Sequence, residues 1–231
     1  MAKTTKRQIL QTIASEADLK GFQFHDDTLI FGEGPVKHAL EVSYDKHGPN
    51  LLGWTVFAFD EVADPIFSRF GGVRVEIWRP DRSAEVAGIR TPTGYRYSWS
   101  SGGEAPSVSD LISDVKEYAP SAISFASGRR DLADLLLAEA NIYRGDVWAF
   151  LPPGARPSRL VKAIALGRIA DDSTIERKAM DLLECEGERN ISWEPERPYL
   201  FREAVKDWAK RYGAASGVDL SDVIRSSRRR R

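Results

Sequence analysis

The sequence predicts an α+β fold with an N-terminal helix, a mainly antiparallel sheet of about five or six strands, and a helical C-terminal half packed on that sheet. Residues 22–100 contain short runs rich in aromatic and β-branched residues, separated by Gly, Pro, Asn and Asp. After residue 107 the apolar residues recur with the helical period of about 3.6 residues. Because strands and helices are segregated along the chain, we expect the helices to cover one sheet.

The first helix is predicted over residues 4–18. It is expected to begin at Thr4 or Thr5 and to end before Gly21. Its apolar stripe consists of Ile9, Leu10, Ile13, Ala14 and Ala17.

Six strands are predicted, over residues 22–25, 28–32, 38–45, 53–60, 72–79 and 94–100. Their connections show no helical pattern, which favours antiparallel neighbours over βαβ units. Residues 54–59 are apolar on both faces, so this strand is expected near the centre of the sheet, covered on both sides. In the next strand, Val73 and Val75 alternate with Arg74 and Glu76, which indicates one buried and one polar face.

The C-terminal half is predicted to contain helices over residues 108–119, 129–143, 157–167, 173–185 and 198–212. Pro120 is expected to end the first of these helices, and Gly145 to follow the second. Ser173 and Glu176 have the spacing of a capping box. Residues 146–151 are apolar and fit either a strand or a buried extended segment.

The best candidate for a domain boundary is the Ser- and Gly-rich stretch 100–107. Each half alone carries more apolar surface than its size can hide, so we expect a single two-layer domain over residues 1–224. Residues 1–105 would supply its helix and sheet, and residues 106–224 its helical part. Residues 225–231 are expected to form a basic disordered tail.

The net charge of −1 hides an uneven distribution, since five arginines lie among the last seven residues and leave −6 on residues 1–224. An acidic body is a poor general surface for nucleic acid, whose binding needs clustered cations. The tail could still bind the phosphates of a nucleic acid. The candidate residues for that contact are Arg225, Arg228, Arg229, Arg230 and Arg231.

A cytoplasmic location is expected, because no apolar run approaches the length of a membrane helix and charges interrupt the N-terminal stretch. The single cysteine, Cys185, excludes an intrachain disulfide and is expected to be a half-buried helix residue. The three histidines, His25, His38 and His47, lack the spacing of a metal site. We therefore assign no metal, cofactor or catalytic residue.

A set of four acidic residues is the one feature of the sequence that suggests catalysis. Asp60, Glu61 and Asp64 follow the apolar strand, and Glu76 lies on the next one. Carboxylates at strand ends can hold Mg²⁺ for phosphodiester hydrolysis, and the arrangement loosely resembles the core of restriction-type nucleases. Trp78 stands where such a core has Lys. A metal-dependent nuclease or other hydrolase is therefore an alternative hypothesis.

Aromatic residues on predicted strands favour binding instead. Trp78 lies on a nominally polar strand face, and Tyr95, Tyr97 and Trp99 alternate with polar residues. We predict that these four residues bind another protein. The favoured hypothesis is a non-catalytic, cytoplasmic protein-binding protein of the accessory or inhibitor kind, comparable in layout and charge to proteins that neutralise basic toxins. Nucleic-acid binding through the arginine tail is the third hypothesis.

Overall fold

The computed structural model describes residues 6–16, 22–25, 27–44, 51–63, 72–77, 108–144, 147–151, 153–193 and 198–226. The first part of the chain forms one helix and five strands: α1 (Lys6–Glu16), β1 (Gln23–His25), β2 (Thr28–Phe31), β3 (Val36–Tyr44), β4 (Leu51–Asp60) and β5 (Val73–Ile77). A mainly helical part follows: α2 (Val108–Ser124), α3 (Arg129–Leu137), β6 (Ile142–Arg144), β7 (Val147–Phe150), a 3₁₀ turn (Pro153–Ala155), α4 (Arg156–Ile169), α5 (Ser173–Trp193), α6 (Pro198–Ser216) and α7 (Ser221–Ser226).

The predicted fold class is confirmed: an N-terminal helix precedes an antiparallel sheet, and the C-terminal half is helical. In the described ranges the sheet has seven strands in the order β1-β2-β3-β4-β5-β7-β6, slightly more than the five or six expected. All neighbouring strands pair antiparallel. The apolar strand β4 is the central one, as its sequence predicts. The predicted strand 94–100 and the candidate boundary 100–107 lie outside the described residues.

The helices contact one face of the sheet, which we call the helix-facing side. Helix α1 packs on β2 and β3, α2 packs on β4, β5 and β7, and α3 packs on β4 and β5. Alternate strand residues enter the core on this side, among them Val56, Ala58, Val73, Val75 and Ala149. Both halves of the chain contribute to this hydrophobic cluster. A single domain over residues 1–224 stays a prediction.

The helical half differs from expectation at three points. Helix α2 continues through Pro120 to Ser124, with Ala119 and Ala122 fully buried, so packing against the core outweighs the hydrogen bond lost at the proline. The helix predicted over 129–143 ends at Leu137, because Ala138 leaves the helical conformation with ψ 143°. Its expected last residue, Tyr143, lies instead in β6, which forms a hairpin with β7.

Candidate functional site

The side of the sheet opposite the helices, here called the outer face, carries an aromatic strip. The strip consists of Phe57 of β4, Arg74 of β5, Trp148 and Phe150 of β7, and Tyr143 of β6. The strand register brings these residues together, because Arg74 lies opposite both Phe57 and Phe150, and Tyr143 lies opposite Trp148. The sequence neighbours of Phe57, Arg74, Trp148 and Phe150, and Ile142 beside Tyr143, belong to the core or pack against it, so alternation places the strip on the outer face.

Ring contacts connect the members of the aromatic strip. The guanidinium carbon of Arg74 lies 4.7 Å from the centroid of the Phe57 ring, which is cation–π geometry. Tyr143 stacks on Trp148 with centroids 5.7 Å apart and an interplanar angle of 17°. Trp148 meets Phe150 edge to face, with centroids 5.6 Å apart. These contacts hold the side chains in place, which lowers the entropy lost when such a surface binds a partner.

Exposure within the aromatic strip is graded. Trp148 and Phe57 are only 2% and 8% exposed, whereas Tyr143 is 54% exposed. Arg74 is exposed and Phe150 is half-buried. The buried rings therefore form a base that supports one exposed tyrosine and one exposed arginine. Tyr and Arg are residue types that dominate the energy of protein interfaces, particularly where neighbouring groups fix them.

Sequence reasoning identified a different set of aromatic residues. Trp78, Tyr95, Tyr97 and Trp99 all lie outside the described residues, so their predicted role stays a prediction. The strip could have been found from two signals: the alternation of Trp148 and Phe150 in the run 146–151, and the polar position of Arg74 beside an apolar strand. Tyr143 was hidden by its helical spacing from Leu136 and Ala140.

Asp60, the first of the predicted carboxylates, is buried and bound by neighbouring backbone groups and one arginine. It is 1% exposed at the end of β4. One carboxylate oxygen accepts hydrogen bonds from the backbone N–H groups of Val62 at 3.0 Å and Ala63 at 2.9 Å. The other accepts a hydrogen bond from Nε of Arg129 at 2.6 Å. The carboxylate thus closes the turn after β4 and joins the sheet to α3.

The other predicted carboxylates do not gather around Asp60 in the described structure. Glu61 is half-exposed and lies 3.7 Å from the ammonium group of Lys37. Asp64 lies outside the described residues. Position 76 pairs with Thr55, five residues before Asp60 along β4. The backbone of position 76 therefore lies about 16 Å along the strand from that of Asp60. Among the described residues there is no group of three or more His, Cys, Asp or Glu side chains that could hold a metal.

The two described histidines also lie apart. His25 is exposed at the edge of the sheet in β1, and His47 lies outside the described ranges. His38 is 3% exposed on β3 and stacks on Phe31, with ring centroids 5.6 Å apart. Burial lowers the pKa of His38 to about 4, and the backbone of Ile123 and Ala126 opposes that shift by a smaller amount. The imidazole is therefore neutral near pH 7 and is part of the core.

The remaining predicted residues lie in the helical half. Cys185 is exposed on α5, more so than the half-buried position expected. Arg225 lies in α7, where Nε donates to the backbone oxygen of Ser221 at 3.3 Å. Arg228, Arg229, Arg230 and Arg231 lie outside the described residues. Across the described part of the chain, no helix has the length and apolarity needed to cross a membrane.

Comparison of the chain with protein-family models, with curated proteins and with solved structures found no match.

Proposed function

We propose that the chain is a non-catalytic, cytoplasmic protein-binding protein of the accessory or inhibitor kind, and that the aromatic strip contacts its partner. The observation that carries this proposal is the pair of exposed side chains, Tyr143 and Arg74, stacked on the buried rings of Trp148 and Phe57. Prearranged Tyr and Arg side chains lose little freedom on association, and they bury apolar area and donate hydrogen bonds together.

The position of the strip supports the same proposal. In the described sheet β6 is an edge strand, and Tyr143 lies at its middle. Arg144, the next residue, turns to the helix-facing side, where its guanidinium carbon lies 4.8 Å from the ring centroid of Phe125. A partner that covered this edge would meet an aromatic ring and a cation on neighbouring residues. An acidic or mixed polar surface with an apolar centre would fit them best.

The test begins with a photo-crosslinking phenylalanine analogue placed at position 143 of the full chain. The same analogue at position 177, an exposed site on α5, serves as the control. In native lysate we expect a protein to be crosslinked from position 143 and not from position 177. Crosslinking to nucleic acid alone, or equal products from both positions, would contradict the proposal.

The crosslinked protein is then purified and its affinity for the chain is measured by calorimetry. We expect Tyr143→Ala and Arg74→Ala each to weaken binding by at least about tenfold, which corresponds to about 1.4 kcal/mol. Arg177→Ala, an exposed arginine remote in sequence from the strip, should bind as the original chain does. Unchanged affinity in both strip variants would refute the assignment of the surface.

A further inference from the structure

Helix α4 begins with two buried arginines that the proposed protein-binding surface does not use. Arg156 and Arg159 lie one helical turn apart and are 5% and 6% exposed. Arginine is almost never this deeply buried unless hydrogen bonds and opposite charges compensate it. The two guanidinium groups differ in the partners that compensate them.

Both arginines cap the C-terminal end of α3. Nη1 of Arg156 donates to the backbone oxygen of Ala138 at 2.9 Å, and Nη1 of Arg159 donates to the same oxygen at 3.0 Å. Arg159 also donates to the backbone oxygen of Leu135 at 3.3 Å. Cations at this place satisfy carbonyl groups that the helix leaves open and complement its dipole. This explains one edge of each guanidinium.

The carboxylates in the cluster belong to Arg156. Its Nε lies 2.8 Å from a carboxylate oxygen of Glu186, and its Nη2 lies 3.4 Å from one of Glu139. The side chain of Glu186 is 14% exposed and that of Glu139 is 67% exposed. Glu186, the less exposed of the two carboxylates, therefore pairs with only one of the two buried cations, and no carboxylate among the described residues forms an ion pair with Arg159.

The second edge of the Arg159 guanidinium is buried and makes no hydrogen bond to a described residue. Its Nε and Nη2 are both buried and have no hydrogen-bond partner in the described part of the chain. These two N–H groups lie side by side, and their spacing matches two oxygens of one carboxylate or phosphate group. Leaving them unpaired has a cost, because both groups have lost their water. Burial, and then the charge of Arg156, lower the pKa of Arg159 to about 10, so the group stays charged near pH 7.

We propose that the Nε and Nη2 edge of Arg159 binds a small oxyanion, with two of its oxygens accepting one hydrogen bond each. Three features of the surroundings support this site. Both carboxylates of the cluster pair with Arg156, so the charge of Arg159 has no ion-pair partner among the described residues. Helix α4 has no side-chain cap at Ala155, so its first turn also favours an anion. Gly154, just before the helix, is exposed with open space around it, and the contact of exposed Glu139 with Arg156 shows that the cluster lies close under the surface.

The test uses the full chain with inorganic phosphate and, separately, with acetate. Ionic strength is held constant with chloride, and binding is followed by the melting temperature and by calorimetry. We expect a saturable rise in melting temperature above that in chloride with one or both anions. A response to phosphate alone identifies a phosphoryl-type ligand, and a response to both identifies any two-oxygen anion. No rise with either anion would overturn the proposal.

Substitutions locate the effect. Arg159→Lys keeps the positive charge but removes the paired donors, and we expect at least a tenfold weaker affinity. Arg177→Met, at an exposed arginine on α5, is the matched control and should leave the affinity unchanged. Equal affinity in Arg159→Lys and in the original chain would overturn the site. If Arg159→Lys fails to fold, Glu186→Gln decides: removing the neighbouring negative charge should tighten anion binding, and unchanged or weaker binding would contradict the proposal.

Discussion

The two faces of the sheet are made by the same strands and have opposite chemistry. On the helix-facing side, Val56, Ala58, Val73 and Val75 are 0–2% exposed aliphatic residues. On the outer face the same strands carry Phe57 and Arg74, whose side chains form a cation–π contact with each other. Because side chains alternate along a strand, each face can be set independently of the other. One face therefore packs in the core, and the other carries the side chains that we propose for recognition.

The helix-facing side is not purely apolar, and two of its buried polar residues, Asp60 and His38, are accommodated differently. Two backbone N–H groups and Arg129 bind the carboxylate oxygens of Asp60. His38 avoids a charge, because burial lowers its pKa to about 4. Substitutions on this side are expected to affect mainly the stability of the fold. Substitutions in the exposed part of the aromatic strip are expected to affect mainly partner binding.

The largest loss of stability is expected from Leu135→Ala. Leu135 is 1% exposed on α3, which packs between the sheet and α4. Removing its side chain leaves a cavity in the core, and the free energy of unfolding should fall by about 2–5 kcal/mol. Urea denaturation followed by circular dichroism measures the change. A loss below about 1 kcal/mol would show that α3 does not hold the helices on the sheet.

A somewhat smaller loss is expected from Arg129→Met. The substitution leaves the Asp60 carboxylate buried with its two backbone donors but without its cation. Removing one partner of a buried pair costs about 3–5 kcal/mol, and the 29% exposure of the Arg129 side chain reduces this to about 2–3 kcal/mol. Chemical denaturation at neutral pH measures it. Stability equal to that of the original chain would mean that the pair contributes nothing to holding α3 on the sheet.

Acid is expected to lower the stability of the fold through His38. Its pKa is 6.5 in the unfolded chain and about 4 in the fold, so the unfolded state binds the proton more tightly. The stability from a neutral His38 is complete above about pH 6.5 and is lost as the pH falls towards 4. By about pH 5 the loss from this group should be about 2 kcal/mol.

Denaturation curves between about pH 7.5 and pH 5 test this loss. The stability advantage of the original chain over His38→Gln should shrink by about 2 kcal/mol across that range. Parallel curves for the original chain and for His38→Gln would show that His38 titrates alike in both states.

These residues also show what the sequence could predict. Alternation in β4 and β5 and the helical periods after residue 107 depend on local burial, so they predicted the fold class and the central strand. The spacing of Tyr143 from Leu136 and Ala140 fits a helix, but α3 ends before Ala138. Only the pairing of β6 with β7 shows that Tyr143 lies in a strand. Asp60 was found as an acidic residue, but its partner Arg129 is 69 positions away in the chain. The sequence likewise could not show that Nε and Nη2 of Arg159 lack a partner among the described residues, because this depends on which carbonyls and carboxylates the fold brings close.

The smallest effect on stability is expected from Tyr143→Ala, and this change compares the faces most sharply. Tyr143 is 54% exposed and stacks on Trp148, so its removal should cost about 0.5–1 kcal/mol, the worth of a cross-strand aromatic pair. Its expected tenfold loss of partner affinity is as large in energy or larger. Denaturation and calorimetry on the same preparation measure both. A stability loss above about 2 kcal/mol would show that Tyr143 belongs to the folding core, because an exposed recognition residue has little native packing to lose.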